Sequence, residues 1–278
     1  MASSSIITCR RGYQEETLHQ KIHLTNKIYI MQQNRKKFLK NLFIGATSIQ
    51  LLIESCKKAD AMSGNSSTTD SGTSNSGTCA IAPTETAGPF PTTTPSSLVR
   101  SDIRDDRTGV PLTIAINVQN VNNSCVALAG IIVDIWHCDK DGYYSEYGGS
   151  GMQSIDYTSV NFLRGRQTTD ANGQVKFSSI FPGWYSGRAT HIHVHIYTSA
   201  GTSLMITQIA FPEGNNSAVA TINGSGGVAY GYTKGLSGYT YNSSDNVFSD
   251  DSSGIEVATV TGSLSGGYVL TKNIAVAA

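Results

Sequence analysis

Apolar residues recur in short runs along the last two thirds of the chain, at 112–118, 129–136, 174–177, 191–197, 203–210, 255–260 and 268–274. Each run has the length and the β-branched, aromatic content of a strand. Turn residues separate them. Asp170-Ala171-Asn172-Gly173 falls between Thr169 and Gln174 and reads as a hairpin turn, with Asn172 and Gly173 able to take positive φ. Asp139-Lys140-Asp141-Gly142 plays the same part after Trp136. No stretch keeps apolar residues three and four apart over a dozen positions, so helices should be few and short. The pattern predicts an all-β fold, an antiparallel β-sandwich, and contains no internal repeat.

Residues 1–78 follow other patterns and are set apart from the fold. Residues 41–53 are apolar apart from small or polar interruptions, too short for the roughly 20 apolar residues that span a bilayer. Arg35, Lys36 and Lys37 precede them, and a basic segment before a short apolar one reads as an export signal. Asn34-Arg35-Lys36-Lys37-Phe38-Leu39-Lys40 resembles the twin-arginine motif, with Lys36 where the second arginine would stand. Met31 lies just ahead, so 1–30 read as a start-site extension and 31–61 as the signal. Two processing sites compete: Cys56 as the acylated residue of a lipoprotein, and Ala59-Asp60-Ala61 as a site of free release. A cysteine directly after the apolar stretch favours the lipid anchor. Residues 62–78 are almost wholly Ser, Thr, Gly, Asn and Asp, a flexible linker, and the folded domain is expected over 79–278. The protein is expected to be exported, either periplasmic or anchored to the membrane through Cys56.

Composition changes this picture in two places. Charged residues are 14% of the chain and the formal net charge is zero, with no basic, aromatic-interleaved stripe beyond the N-terminal segment, so nucleic acid is not an expected partner. Cys79, Cys125 and Cys138 remain in the mature chain, and the run 126–136 as one extended strand would hold Cys125 and Cys138 roughly 40 Å apart. A Cys79–Cys125 disulfide is the better pairing, and three free thiols stay open as the alternative.

The sharpest chemistry lies in Arg188-Ala189-Thr190-His191-Ile192-His193-Val194-His195-Ile196. Alternation on a strand puts His191, His193 and His195 on one face and Ile192, Val194 and Ile196 on the other. Two histidines two residues apart can present neutral imidazoles to one metal. On its own such a pair fits a solvated strand face equally well, and the neighbours decide. Pro182-Gly183-Trp184-Tyr185 places a tyrosine just before the histidine strand, and Gly142-Tyr143-Tyr144-Ser145 follows the strand ending at Trp136. A phenol with pKa near 10 ionises at neutral pH only beside a strong positive charge. Two phenolates with two imidazoles suit a trivalent iron.

These residues stand in an ordered series: Thr86-Ala87-Gly88-Pro89-Phe90, Asp134-Ile135-Trp136-His137-Cys138-Asp139, Tyr144-Ser145, Phe162-Leu163-Arg164-Gly165, Thr169-Asp170, Pro182-Gly183-Trp184-Tyr185, Arg188, His191-Ile192-His193 and Thr207-Gln208. The series resembles the intradiol ring-cleavage dioxygenases of the catechol and protocatechuate type, and most of all their exported branch. The resemblance implies a non-haem Fe(III) held by Tyr144, Tyr185, His191 and His193. It implies that Tyr185 is the ligand displaced by substrate and then takes a substrate proton, and that Arg188 and Gln208 flank the ring. His195 is then a supporting or surface histidine, His137 orients a loop, and Tyr143 packs. The implied reaction is cleavage of a catechol-type diol between its hydroxylated carbons, with both atoms of O2 incorporated, to a muconate-type diacid.

Some features depart from the family. Phe90 replaces a tyrosine often found after Gly-Pro, the Tyr185–Arg188 stretch is short, no helical domain precedes the sandwich, and 228–278 do not align. A cupin site would need a third histidine after His195, and none follows. The rival reading is a non-catalytic exported lipoprotein that binds glycans or proteins on the same scaffold.

Overall fold

The computed structural model describes residues 79–149 and 151–278; the export signal, Cys56 and the linker lie outside the described residues. Among the described residues the strands are β1 (Pro111–Asn120), β2 (Val126–Ala127), β3 (Ile132–Trp136), β4 (Arg164–Thr168), β5 (Gln174–Ile180), β6 (His191–Tyr197), β7 (Ser203–Ala210), β8 (Thr259–Ser263) and β9 (Gly267–Val276). One sheet runs β4-β3-β6-β7, all antiparallel. The other runs β2-β1-β9-β8, with β5 also paired to β1.

Period-two alternation explains why the sheets face each other. Ile114, Ile116, Phe177, Leu270 and Ile274 from one sheet meet Val133, Ile135, Ile192, Val194 and Ile196 from the other, and all ten are fully buried in one cluster. Each such side chain contributes roughly 1.5–3 kcal/mol relative to exposure. Burying Ile192, Val194 and Ile196 turns the histidines of β6 to the outer face of their sheet.

The sandwich is as expected, and its details differ in instructive ways. β1 and β9 pair in parallel, since the long connection after β7 brings β9 in alongside β1 rather than back against it. Asp170-Gly173 does form its turn, with Gly173 at φ +71 and the Asp170 carboxylate accepting from the Asn172 and Gln174 N–H groups. It is not a hairpin: it carries the chain from β4 in one sheet to β5 in the other. The run 126–136 is broken at Gly130, with φ +75, into β2 and β3. The last strands also shift. The Asp251 carboxylate accepts from the Ile255 and Glu256 N–H groups at 2.8 and 2.7 Å and holds them in a turn, so β8 starts only at Thr259. Among the described residues helical structure comprises α1 (Ala218–Ile222), capped by the Ser217 hydroxyl, and short 3-10 segments. Cys79 and Cys125 form a disulfide, and Cys138 is free and buried.

Candidate metal centre

β6 presents His191 and His193 on the outward face of the four-stranded sheet, yet neither sees solvent, at 2% and 0% exposure. Register builds a row across that face: Arg164 opposite Trp136, Trp136 opposite His193, His193 opposite Gln208. Trp136 stacks on the His193 ring at 4.9 Å and 1° between planes, which fixes the imidazole's tilt. From above, Gly88, at φ +71, lets the chain cross so close that a Cβ there would stand 2.8 Å from His193 Cε1. His191 Nδ1 lies 2.6 Å from the Ala189 carbonyl oxygen, so that nitrogen carries the proton and Nε2 is left as a lone pair. His191 Nε2 faces His193 Nε2 at 3.1 Å and the Tyr144 hydroxyl at 3.3 Å.

Tyr144 arrives on the loop after β3. The Asp139 carboxylate accepts from the Asp141 and Tyr143 N–H groups and folds the turn, and Gly142 takes φ +95. Gln153 then holds Tyr144 by both of its backbone groups, accepting from its N–H at 2.7 Å and donating to its carbonyl at 2.8 Å. Arg164, fully buried, ties this loop to the overlying strap. Its Nε donates to Ser145 Oγ, Nη2 to the Ser145 carbonyl, and Nη1 to the Phe90 carbonyl and Thr92 Oγ1. Phe90 stacks on Tyr144 at 4.7 Å. Tyr143 turns away and packs against Tyr157. Tyr185 lies edge-on to Tyr144 at 5.8 Å and to His191 at 5.7 Å, a second phenol at the edge of the same cluster.

Arg188 and Gln208 are joined: Arg188 Nη2 donates to Gln208 Oε1 at 2.6 Å, and Gln208 Nε2 donates to the Thr86 carbonyl. Sequence reasoning missed what stands behind them. Asp245, in the segment that could not be aligned, is fully buried and accepts from Arg188 Nε at 2.9 Å, while Phe248 lies 5.6 Å from the guanidinium carbon. No periodicity marks either residue, because both sit in irregular chain. His137 bonds the Cys138 carbonyl and, across to β5, Ser179 Oγ. His195 is partly exposed and contacts Ser203 Oγ and the Tyr197 hydroxyl.

The electrostatics favour neutral donors. Burial brings His191 down to about 3, with the Arg188 charge pushing the same way, and holds His193 well below the ordinary imidazole value. Burial raises the Tyr144 hydroxyl well above the usual phenol value. Tyr185 is raised by burial, an effect the nearby Arg188 partly offsets. Among the described residues no three His, Cys, Asp or Glu side chains gather as ligands, so a cation in this cluster must draw on phenols. The donor set fits that case: His191 Nε2 lies 3.1 Å from His193 Nε2 and 3.3 Å from the Tyr144 hydroxyl, and only a strong positive charge would ionise phenols buried there. His193 Nδ1 is buried without a partner, so nothing on that side of the ring fixes its proton.

Comparison with known proteins bears on the family of the chain. The profile of the family described as "Dioxygenase" matches residues 89–229. Catechol 1,2-dioxygenase 1 of Acinetobacter lwoffii is 30% identical over 122 residues, 38% of this chain and 37% of that protein. Chlorocatechol 1,2-dioxygenase of Rhodococcus opacus is 28% identical over 109 residues, 32% of this chain and 40% of that protein. The match therefore spans about two fifths of the length of these curated relatives. The solved intradiol ring-cleavage dioxygenase from Tetranychus urticae is 30% identical, with 72% of this chain and 95% of that one covered at a TM-score of 0.59. An outward-facing histidine pair, two phenols beside it and a family profile running through them all make this chain a member of the intradiol ring-cleavage dioxygenases.

Proposed function

We propose that the domain is an Fe(III)-dependent dioxygenase that opens a catechol-type ring between its two hydroxylated carbons, giving a muconate-type product, with Tyr144, Tyr185, His191 and His193 holding the metal. The observation that carries this is that His191 Nε2 lies 3.1 Å from His193 Nε2 and 3.3 Å from Tyr144 Oη, with Tyr185 packed beside them. Ferric iron bound there would supply the positive charge that ionises both phenols and draws electron density from the diol ring.

The chain's own side chains do the rest. Tyr185 is less deeply buried than Tyr144 and has Arg188 beside it, so it is the phenol suited to take a proton from the diol at its hydroxyl oxygen. Arg188 and Gln208, locked together at 2.6 Å, offer fixed positive charge and an amide to the ring as negative charge develops on it. Trp136, Phe90 and Tyr147 wall the site and exclude water, which strengthens those interactions.

The test is purification with ferric iron and an oxygen-uptake screen against catechol, protocatechuate and hydroxyquinol. A red-brown tyrosinate colour that shifts in Tyr185→Phe, with uptake on at least one diol, is expected. Colourless, iron-free protein with no uptake refutes the enzyme and leaves the non-catalytic reading. We further propose export, as a free periplasmic protein or a lipoprotein acylated at Cys56. The Cys79–Cys125 disulfide supports it, because such bonds persist in oxidising compartments. The mass of the mature N-terminal peptide tests it: a lipid on Cys56 or a start after Ala61 is expected, and an unprocessed N-terminus in the cytoplasm refutes it.

A further inference from the structure

We infer that Asp245 is the positioning residue of this centre, one carboxylate that sets both Arg188 against the substrate ring and His191 toward the metal; the inference rests on the dioxygenase reading. Asp245 lies outside the segment that the family profile matches and is 57 residues from Arg188. It has no exposed surface, and four donors converge on it. Arg188 Nε reaches its two oxygens at 2.9 and 3.2 Å, the Ala189 N–H reaches Oδ2 at 2.7 Å, and the Val247 and Phe248 N–H groups reach Oδ1 at 2.8 and 3.4 Å.

Two consequences follow from this geometry. First, the guanidinium is held at two of its edges, Nε by Asp245 and Nη2 by Gln208, while Phe248 closes on it. A planar fork gripped at two edges cannot rotate about its long axis, so its aim is fixed before substrate arrives. Second, the backbone of Ala189 is held on both sides of its Cα. Its N–H is on Asp245, and its carbonyl accepts from His191 Nδ1 at 2.6 Å. That carbonyl selects the His191 tautomer with a lone pair on Nε2, so the carboxylate's hold passes across the Cα of one residue to the metal-facing nitrogen. A buried ion pair is weak evidence of stability, because burial costs both charges their hydration. Burial alone would raise the Asp245 carboxyl, yet Arg188 and the backbone donors outweigh it and keep the group below the usual carboxylate value.

Asp245→Asn isolates the claim. Its amide must turn an NH2 either toward the Arg188 and Ala189 donors, which share Oδ2, or toward the Val247 and Phe248 N–H groups at Oδ1, and in both orientations the negative charge opposite Arg188 is lost. In the iron-loaded full chain we expect kcat to fall about 10- to 100-fold, with KM for the diol changed only a few-fold and iron content retained. The Arg188→Ala background supplies the control that a merely structural role would not pass: there Asp245→Asn should cost clearly less in kcat, because only the route through Ala189 to His191 remains. In metal-free protein carrying isotope-labelled arginine, the Arg188 Nε–H signal should exchange slowly in wild type and rapidly in the variant. If the asparagine variant does not fold, Asp245→Glu, which keeps the charge but displaces it, goes through the same cycle. Wild-type kcat in the variant, or the same fold-loss with and without Arg188, overturns the inference. A wild-type chain with neither iron colour nor turnover overturns the functional reading itself, a result distinct from an active wild type matched by its variant.

Discussion

Arg164 offers a demanding test of how the centre is held, because it touches no proposed ligand and yet joins the two segments that cover one. Arg164→Met keeps a similar stem and removes the guanidinium. The Ser145 and Phe90 carbonyls then lose their donor inside the protein, and Ser145 Oγ and Thr92 Oγ1 lose theirs. Two buried, unsatisfied carbonyls cost about 2–6 kcal/mol together at about 1–3 kcal/mol each. Part of this is returned, because the guanidinium itself is expensive to bury; burial pulls it down to about 10 in spite of Glu146 at 3.6 Å. The net loss expected is about 2–4 kcal/mol, at the upper end for a single substitution. Function should suffer alongside, since Tyr144 sits next to Ser145 and must keep its hydroxyl 3.3 Å from His191. Urea unfolding with linear extrapolation gives the stability, and ferric titration followed by the visible band gives the metal affinity. A variant within about 1 kcal/mol of wild type that also binds iron equally tightly would refute the idea that this buried cation holds the Tyr144 loop.

Three further outcomes are expected. Gly88→Ala must accommodate both φ +71 and a Cβ 2.8 Å from His193 Cε1, so metal affinity should fall at least tenfold at a stability cost of about 1–2 kcal/mol; unchanged ferric titration would show that the strap can yield. His137 is held at about 4 by burial while an unfolded histidine titrates near 6.5, so the unfolded chain binds the extra proton between these values. The contribution of His137 to the stability of the metal-free domain should therefore be full above pH ~6.5 and fall by up to ~1.4 kcal/mol per pH unit on acidification toward pH ~4, on top of the losses from His191 and His193, with His137→Gln reducing the total slope in urea melts by that share. Cys79→Ser opens a 46-residue separation and should cost about 4 kcal/mol by the loop-entropy relation, with iron affinity falling too because the freed segment leads into Gly88 and Phe90; equal melting temperatures would contradict it.

What the sequence determined by itself was local. Period-two spacing put His191 and His193 on one face and Ile192, Val194 and Ile196 on the other, and burial of the latter three left the imidazoles only one direction to point. Regular apolar runs gave β6 and β7 their ends, and Gly173 in its turn needed nothing beyond nearby residues. β4 escaped notice because Arg164-Gly165-Arg166-Gln167-Thr168 has no apolar alternation; its place in the sheet comes from pairing with β3. Tertiary structure alone decided that Tyr144, 47 residues before His191, would place its hydroxyl within 3.3 Å of that ring. It also decided that the last third of the chain would return to bury Asp245 under Arg188 and close the site. The physical reason is that alternation encodes which face of a strand is dry, whereas a buried polar group in irregular chain is positioned by partners far away in sequence, whose identity no local pattern records.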